Sequence, residues 1–253
     1  MGEIQRPGAL YQQVATEIRN AIAAGEFPPG APLPSEAQLI ERYGVSRPTV
    51  RNAISALRSE GLIEVIHGKG SFVRALPAPT LTVDRGVIRK GSAYVLGHDW
   101  KAAEEPTVYR TQASATTAAL LEMEEGGALF GVDRLLADPV TGTRALHRVL
   151  IPFAVADGTP LAETPDTEPA AIYTQLTAAG HKLTWQETVG ARMPQPDERQ
   201  ALGIPEATPV IVSTRITYGT GQRPLIVEEL RISASQGQFA YRITTSPARA
   251  VRN

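Results

Sequence analysis

The chain has 253 residues, which suits two domains or one large one. A hydrophobic share of 42% excludes wholesale disorder, and a formal net charge of −1 excludes attraction to nucleic acid by bulk charge alone. No cysteine is present, so disulfides and thiolate metal centres are excluded, and the four histidines, His67, His98, His147 and His181, lack metal-ligand spacing. No metal and no cofactor are expected.

Leu10, Val14, Ile18 and Ile22 form an i+4 ladder that predicts a first helix ending by Gly25. This amphipathic start does not read as a signal peptide, and no apolar run approaches transmembrane length, so a cytoplasmic protein with no membrane partner is expected. Ser35 is placed to cap a second helix running to about Tyr43, and Gly44 to end it in the left-handed conformation. Ser46 caps a third helix, with Pro48 in its first turn. Val50, Ile54 and Leu57 recur at helical spacing as its buried stripe; Arg47, Arg51 and Arg58 share an adjacent one. The helix stops at Gly61. Leu62–Ile66 and Ser71–Arg74 read as strands around the turn His67-Gly68-Lys69-Gly70. Helix, tight turn, helix and glycine-tipped hairpin make a winged helix-turn-helix, whose second turn-helix can lie in a DNA major groove. Between Arg42 and Arg74 six Lys or Arg face two acids, a local positive surplus suited to phosphates. The wing tip, His67 and Lys69 included, suits a narrow minor groove.

LPSE (Leu33–Glu36), GVSRPTVRNAISAL (Gly44–Leu57), EGLI (Glu60–Ile63) and HGKGSFV (His67–Val73) resemble the DNA-binding domain of GntR-family bacterial repressors. Tyr11–Gly30 is similar to the family's first helix and turn. The resemblance places Ser46, Arg47, Thr49 and Arg51 on DNA, with Ser35 and the wing residues His67, Gly68 and Lys69 as further candidates. Ala37 stands where some members carry a DNA-contacting arginine.

Leu76-Pro77-Ala78-Pro79 reads as a stiff linker, giving a DNA-binding domain over 1–75, a linker over 76–82 and a second domain over 83–253. Leu129–Ala137 and Ala145–Phe153 predict a hairpin around Asp138–Gly142. A helix follows over Pro169–Ala179, then a strand over His181–Arg192 and a short helix over Pro196–Leu202. Val210–Tyr218 and Leu225–Ser233 predict a second hairpin, and Phe239–Thr244 a final strand. This order argues an α+β domain with an antiparallel sheet. Strand alternation puts Arg134, Glu187 and Glu228 with the apolar residues, and Tyr241 between Phe239 and Ile243. Buried charge demands a partner, so either Arg134 pairs with Glu187 or Glu228, or these groups line a polar pocket. His147 and Arg148 fall on opposite faces of one strand; alternation does not say which faces inward.

DRLLADPVTGTRALHRVLIP (Asp133–Pro152), IYTQLTAAG (Ile172–Gly180) and the run Ala201–Leu230 resemble the UTRA effector-binding domain of the HutC subgroup, which has a chorismate-lyase-like fold. The resemblance implies a small-molecule effector held by Arg134 and favours the pocket reading; alternation adds His147, Arg148, Glu187, Glu228 and Tyr241 as further candidates. A homodimer on a palindromic operator is expected because a two-fold protein matches a two-fold site. His147 stands where a glutamate is common, and Arg231–Tyr241 lacks the group's usual Tyr-Arg-x-Asp-Arg-Tyr-like segment. Both departures set this chain apart from members that bind amino-sugar phosphates. The expected function is a ligand-responsive repressor; the alternative is a mobile-element repressor with no effector. No nucleophile–base pair or phosphate loop is visible in the sequence, so no catalytic residue is assigned.

Overall fold

The computed structural model describes residues 10–66, 68–75, 81–204 and 207–243. The chain divides into two compact units, residues 1–78 with 204–208, and 79–203 with 209–253.

In the first unit α1 (Leu10–Ala23), α2 (Glu36–Tyr43) and α3 (Arg47–Ser59) precede a hairpin of β1 (Ile63–Ile66) and β2 (Gly70–Val73), paired antiparallel. Local signals set the boundaries. Ser35 Oγ accepts from the Gln38 N–H at 3.3 Å, and Gln38 Oε1 accepts from the Ser35 N–H at 2.9 Å, a reciprocal cap that satisfies two end donors. Gly44 takes φ +62°, where a Cβ would strain the backbone, and ends α2. Ser46 Oγ accepts from the Thr49 N–H at 3.4 Å to open α3. The core joins Val14, Ile18, Leu39, Val50, Leu57, Ile63 and Val73, all buried. Ile54 packs at its edge, and Ala53 is buried in the stripe beside Val50 and Leu57. Leu10, read as a rung of the first ladder, is exposed: it opens α1 before the helix reaches the core.

The second unit begins with β3 (Leu81–Asp84), so Leu81 and Thr82, assigned to the linker from sequence, belong to a strand; 76–80 lie outside the described residues. There follow β4 (Val87–Lys90), β5 (Ala93–Leu96), β6 (Lys101–Ala102), β7 (Thr107–Gln112), α4 (Ala115–Leu121), β8 (Ala128–Ala137) and β9 (Arg144–Pro152). Then come α5 (Phe153–Ala156), α6 (Pro169–Ala178), β10 (Thr184–Arg192), α7 (Pro196–Leu202), β11 (Val210–Tyr218), β12 (Pro224–Ser233) and β13 (Gly237–Ala240). None of the elements from β3 to α4 was legible in the sequence. The antiparallel sheet runs β10-β11-β12-β9-β8-β6, with β7 also on β8. It is covered on both faces. On one, α6 and β5 bury Ile172, Tyr173, Leu176 and Tyr94 against Phe130, Val132, Val149 and Ile151. On the other, α4 packs Ala118 and Leu121 onto Leu129, Ile216 and Val227. Tyr94, Tyr173 and Trp185 meet edge to face with ring centroids 5.4–5.9 Å apart. Among the described residues no helix is long and apolar enough to cross a membrane.

Candidate functional site

Two places collect chemistry, one in each unit. In the first, burial of Val50, Ala53 and Leu57 turns the opposite side of α3 outward. Arg47 and Arg51 stand on it with side chains 63% exposed. Ser46 and Thr49 lie in its first turn, their hydroxyls 2.8 Å apart. Ser35 is exposed at the start of α2 and engaged with Gln38. Gly68 and Lys69 are exposed at the wing tip, where Gly68 takes φ +75°. His67 lies outside the described residues. Arg58, in the last turn, is exposed two turns beyond Arg51. Glu36, which sequence reasoning did not single out, sits beside this cationic face: Arg51 Nε is 3.1 Å from both its oxygens and Arg47 Nε 4.0 Å from one.

The second place is a cavity of about 560 Å³ in the second unit. Its polar floor draws on two neighbouring cross-strand rows, with Arg134, His147, Arg215 and Glu228 on the wall. Glu187 lies opposite Arg215, Arg215 opposite Glu228, and His147 opposite Arg134. Because β10, β11, β12, β9 and β8 are neighbours in that order, these side chains share one face. Residues 94–102 and the start of α6 form the remaining wall, which carries apolar Tyr94, Leu96 and Trp100.

The pairing differs from the ion pairs considered from sequence. Glu187 binds Arg215 (2.6 Å) and Arg85 (2.7 Å), and accepts from Ser213 Oγ. Burial alone would raise its carboxyl pKa, but these two guanidiniums hold it below the usual range. Glu228 accepts from the Tyr173 hydroxyl and lies 3.5 Å from His147 Nε2. It is also held low, against burial, by His147, Arg215 and Tyr173. Burial pushes the His147 pKa down, so its imidazole is neutral at pH 7 with Nε2–H toward Glu228. Its Nδ1 has no hydrogen-bond partner. Burial and the Glu228 carboxylate push the Tyr173 hydroxyl pKa up, so it stays protonated.

Arg134 pairs with neither glutamate. It is 2% exposed and donates from Nη2 to the carbonyls of Asp166 (2.7 Å) and Thr167 (2.9 Å), while Nε and Nη1 have no partner. Three largely buried guanidiniums, of Arg85, Arg134 and Arg215, thus meet two buried carboxylates, of Glu187 and Glu228.

The cavity brings together Arg134, His147 and Glu228 of the sequence candidates and leaves three out. Arg148 lies on the other face of β9, in a two-pronged ion pair with Asp133 (2.7 and 2.7 Å), so His147 is the inward residue. Glu187 is not on the wall, because Arg85 and Arg215 enclose its carboxylate. Tyr241 is 43% exposed and off the wall: β13 ends at Ala240, so the alternation that placed Tyr241 inward has no strand to act through. Arg85 and Arg215 were missed. Arg85 follows β3 in the stretch where no element was read. Arg215 alternates with Ser213 and Thr217, a polar set that reads as outward yet is buried.

Comparison with known proteins agrees with this division. Residues 10–73 match the model of bacterial regulatory proteins, gntR family, and residues 107–236, half of the chain, match the UTRA domain. The regulator Rv0494 of Mycobacterium tuberculosis is 51% identical over 63 residues, 25% of this chain. That match takes in only 26% of the relative's length, about a quarter, as do those of the next relatives. The histidine utilization repressor of Pseudomonas putida is 26% identical over 240 residues, 91% of this chain and 89% of the relative. A solved structure assigned to the GntR family of transcriptional regulators has TM-score 0.69 and 26% identity, covering 94% of this chain and 99% of its own. The relatives are named as transcriptional regulators or repressors, not enzymes. With an N-capped arginine helix and glycine-tipped wing matching one model and the α+β cavity domain matching the other, this chain belongs to the gntR family of bacterial regulatory proteins, in the HutC-like group that carries a UTRA domain.

Proposed function

We propose that the protein is a ligand-responsive transcriptional repressor that binds a palindromic operator as a homodimer. Arg47 and Arg51, with Ser46 and Thr49 at the helix start, read base edges and phosphates; Gly68 and Lys69 of the wing contact the neighbouring backbone. Two-fold symmetry in the protein then matches two-fold symmetry in the site. The effector is a small anion. One observation carries this reading: Arg134 is buried on the cavity wall with two guanidinium nitrogens, Nε and Nη1, unpartnered, and the three largely buried guanidiniums exceed the two buried carboxylates by one charge, with the exposed Glu168 also on the wall. A desolvated guanidinium of this kind favours a carboxylate or similar monoanion over a phosphate dianion. The neutral His147 Nδ1 accepts from a donor on the ligand, and Tyr94, Leu96 and Trp100 suit an apolar body. The same cavity favours this reading over an effector-free repressor of a mobile element. Effector binding alters operator affinity by its differential affinity for two arrangements of the protein.

The test has two arms. A duplex selected by the wild-type protein from a random pool is shifted in a gel; Arg47→Ala and Arg51→Ala, with helical content retained, lose the shift. Thermal unfolding is screened against monocarboxylates and sugar phosphates. Stabilisation by a monocarboxylate that also changes operator affinity is expected; stabilisation by no small anion defeats the effector assignment.

A further inference from the structure

Glu36 is an acidic side chain in ion-pair contact with Arg47 and Arg51 on the outward face of α3. It opens α2, and Ser35, immediately before it, is fixed by its reciprocal bonds with Gln38. Its carboxylate is therefore carried on a rigid turn. Both oxygens lie 3.1 Å from Arg51 Nε, and one lies 4.0 Å from Arg47 Nε. All three side chains are substantially exposed, Glu36 at 42% and each arginine at 63%. In water such a contact contributes little to stability. Its placement is costly for DNA binding in general, because a carboxylate on this face repels phosphates. A guanidinium carries five N–H donors, so holding Nε leaves four on the terminal nitrogens for base edges. Bidentate reading of a base needs the fork at one angle, and an unrestrained arginine loses rotamer freedom on reaching it.

We propose that Glu36 is a specificity-determining positioning residue: it pre-orients Arg51, and more weakly Arg47, for base reading while lowering affinity for DNA of arbitrary sequence. This inference rests on the assignment of α3 as the reading helix.

Anisotropy titrations of full-length protein use the selected duplex and a scrambled duplex of equal composition, over a range of salt. Glu36→Gln removes the charge and keeps the shape. Its affinity for the scrambled duplex is expected to rise about 2–5-fold, by loss of one surface repulsion. Its affinity for the selected duplex is expected to fall about 5-fold or more, part of what one bidentate base contact supplies. The ratio of the two thus drops at least about tenfold. In an Arg51→Ala background Glu36→Gln produces no further loss on the selected duplex, since the two act through one contact. Glu36→Asp keeps the charge but is one methylene shorter; it weakens selected binding without tightening scrambled binding. Equal tightening on both duplexes by Glu36→Gln, or the same loss with Arg51 absent, overturns the proposal. Selected binding undiminished by Arg51→Ala itself instead defeats the assignment of the reading helix, whatever Glu36→Gln does.

Discussion

Replacing Glu187 by glutamine tests the electrostatic account of the second unit. The Glu187 side chain is 11% exposed and separates Arg85, 10% exposed, from Arg215, 4% exposed. Glutamine has the same shape but leaves both guanidiniums without their counter-ion. Removing one partner of a buried pair costs about 3–5 kcal/mol, because the remaining charge stays desolvated. With a urea m-value of about 2 kcal/mol/M for a unit of this size, the unfolding midpoint falls by about 1.5–2.5 M. Both tryptophans of the chain, Trp100 and Trp185, lie in this unit, so their fluorescence follows its unfolding alone. Added acetate narrows the gap between variant and wild type, since an anion replaces the lost carboxylate. The pH dependence has a definite sign. The folded pKa of Glu187 is lowered, so its contribution is complete above the unfolded pKa and is lost as pH falls through the folded one; the variant lacks that slope. A midpoint shift below about 0.3 M would mean that the two arginines do not depend on Glu187, and the reasoning fails.

Arg134→Met removes an unpaired charge at similar volume. Any monocarboxylate that stabilises the wild-type protein is expected to bind the variant at least about tenfold more weakly, the value of one charged hydrogen bond, with the fold intact by circular dichroism; equal binding refutes the anion site. Glu198, buried between Arg192 (2.6 Å) and Arg231 (2.7 Å), has its pKa held down to about 2, chiefly by the Arg192 hydrogen bond. Its stabilisation, about 3 kcal/mol against an ordinary carboxyl, is full above about pH 4.5 and disappears as pH falls toward 2. An acid titration of tryptophan fluorescence therefore has a shallower slope in Glu198→Gln over that window. Gly44→Ala places a Cβ at φ +62° and destabilises the first unit by about 1–2 kcal/mol. The loss is read by far-ultraviolet circular dichroism, with the tryptophan transition unmoved; an unchanged helical melt contradicts it.

The first unit was legible almost to the residue because its signals are local. Ser35, Gly44, Ser46 and Pro48 act within one helical turn, and α2 begins and ends, and α3 begins, where they place the boundaries; α3 ends at Ser59, just short of Gly61. In the second unit the two long hairpins and α6 were readable from alternation, turn residues and helical spacing. The stretch from β3 to α4 was not: its strands are short, and β3 finds its partner in β13 at the far end of the chain. Alternation identified Arg134 and Glu228 as inward, but it failed for Arg215, because both faces of the sheet are covered and a polar set can be the buried one. It failed again at Tyr241, where no ladder partner sustains the strand.

The sequence by itself determined the reading head, its caps and its outward arginines, since hydrogen bonds within a turn and a 3.6-residue period require nothing from distant residues. Only the tertiary structure decided which charges meet. The order β10-β11-β12-β9-β8 and its register bring Glu187 to Arg215 and Glu228 to His147, the elements packed on that face add Arg85 to Glu187 and Tyr173 to Glu228, and Arg134 is in ion-pair contact with neither glutamate. Pairing across strands depends on neighbours far apart in the chain, and a slip of one residue would turn every one of these side chains to the other face.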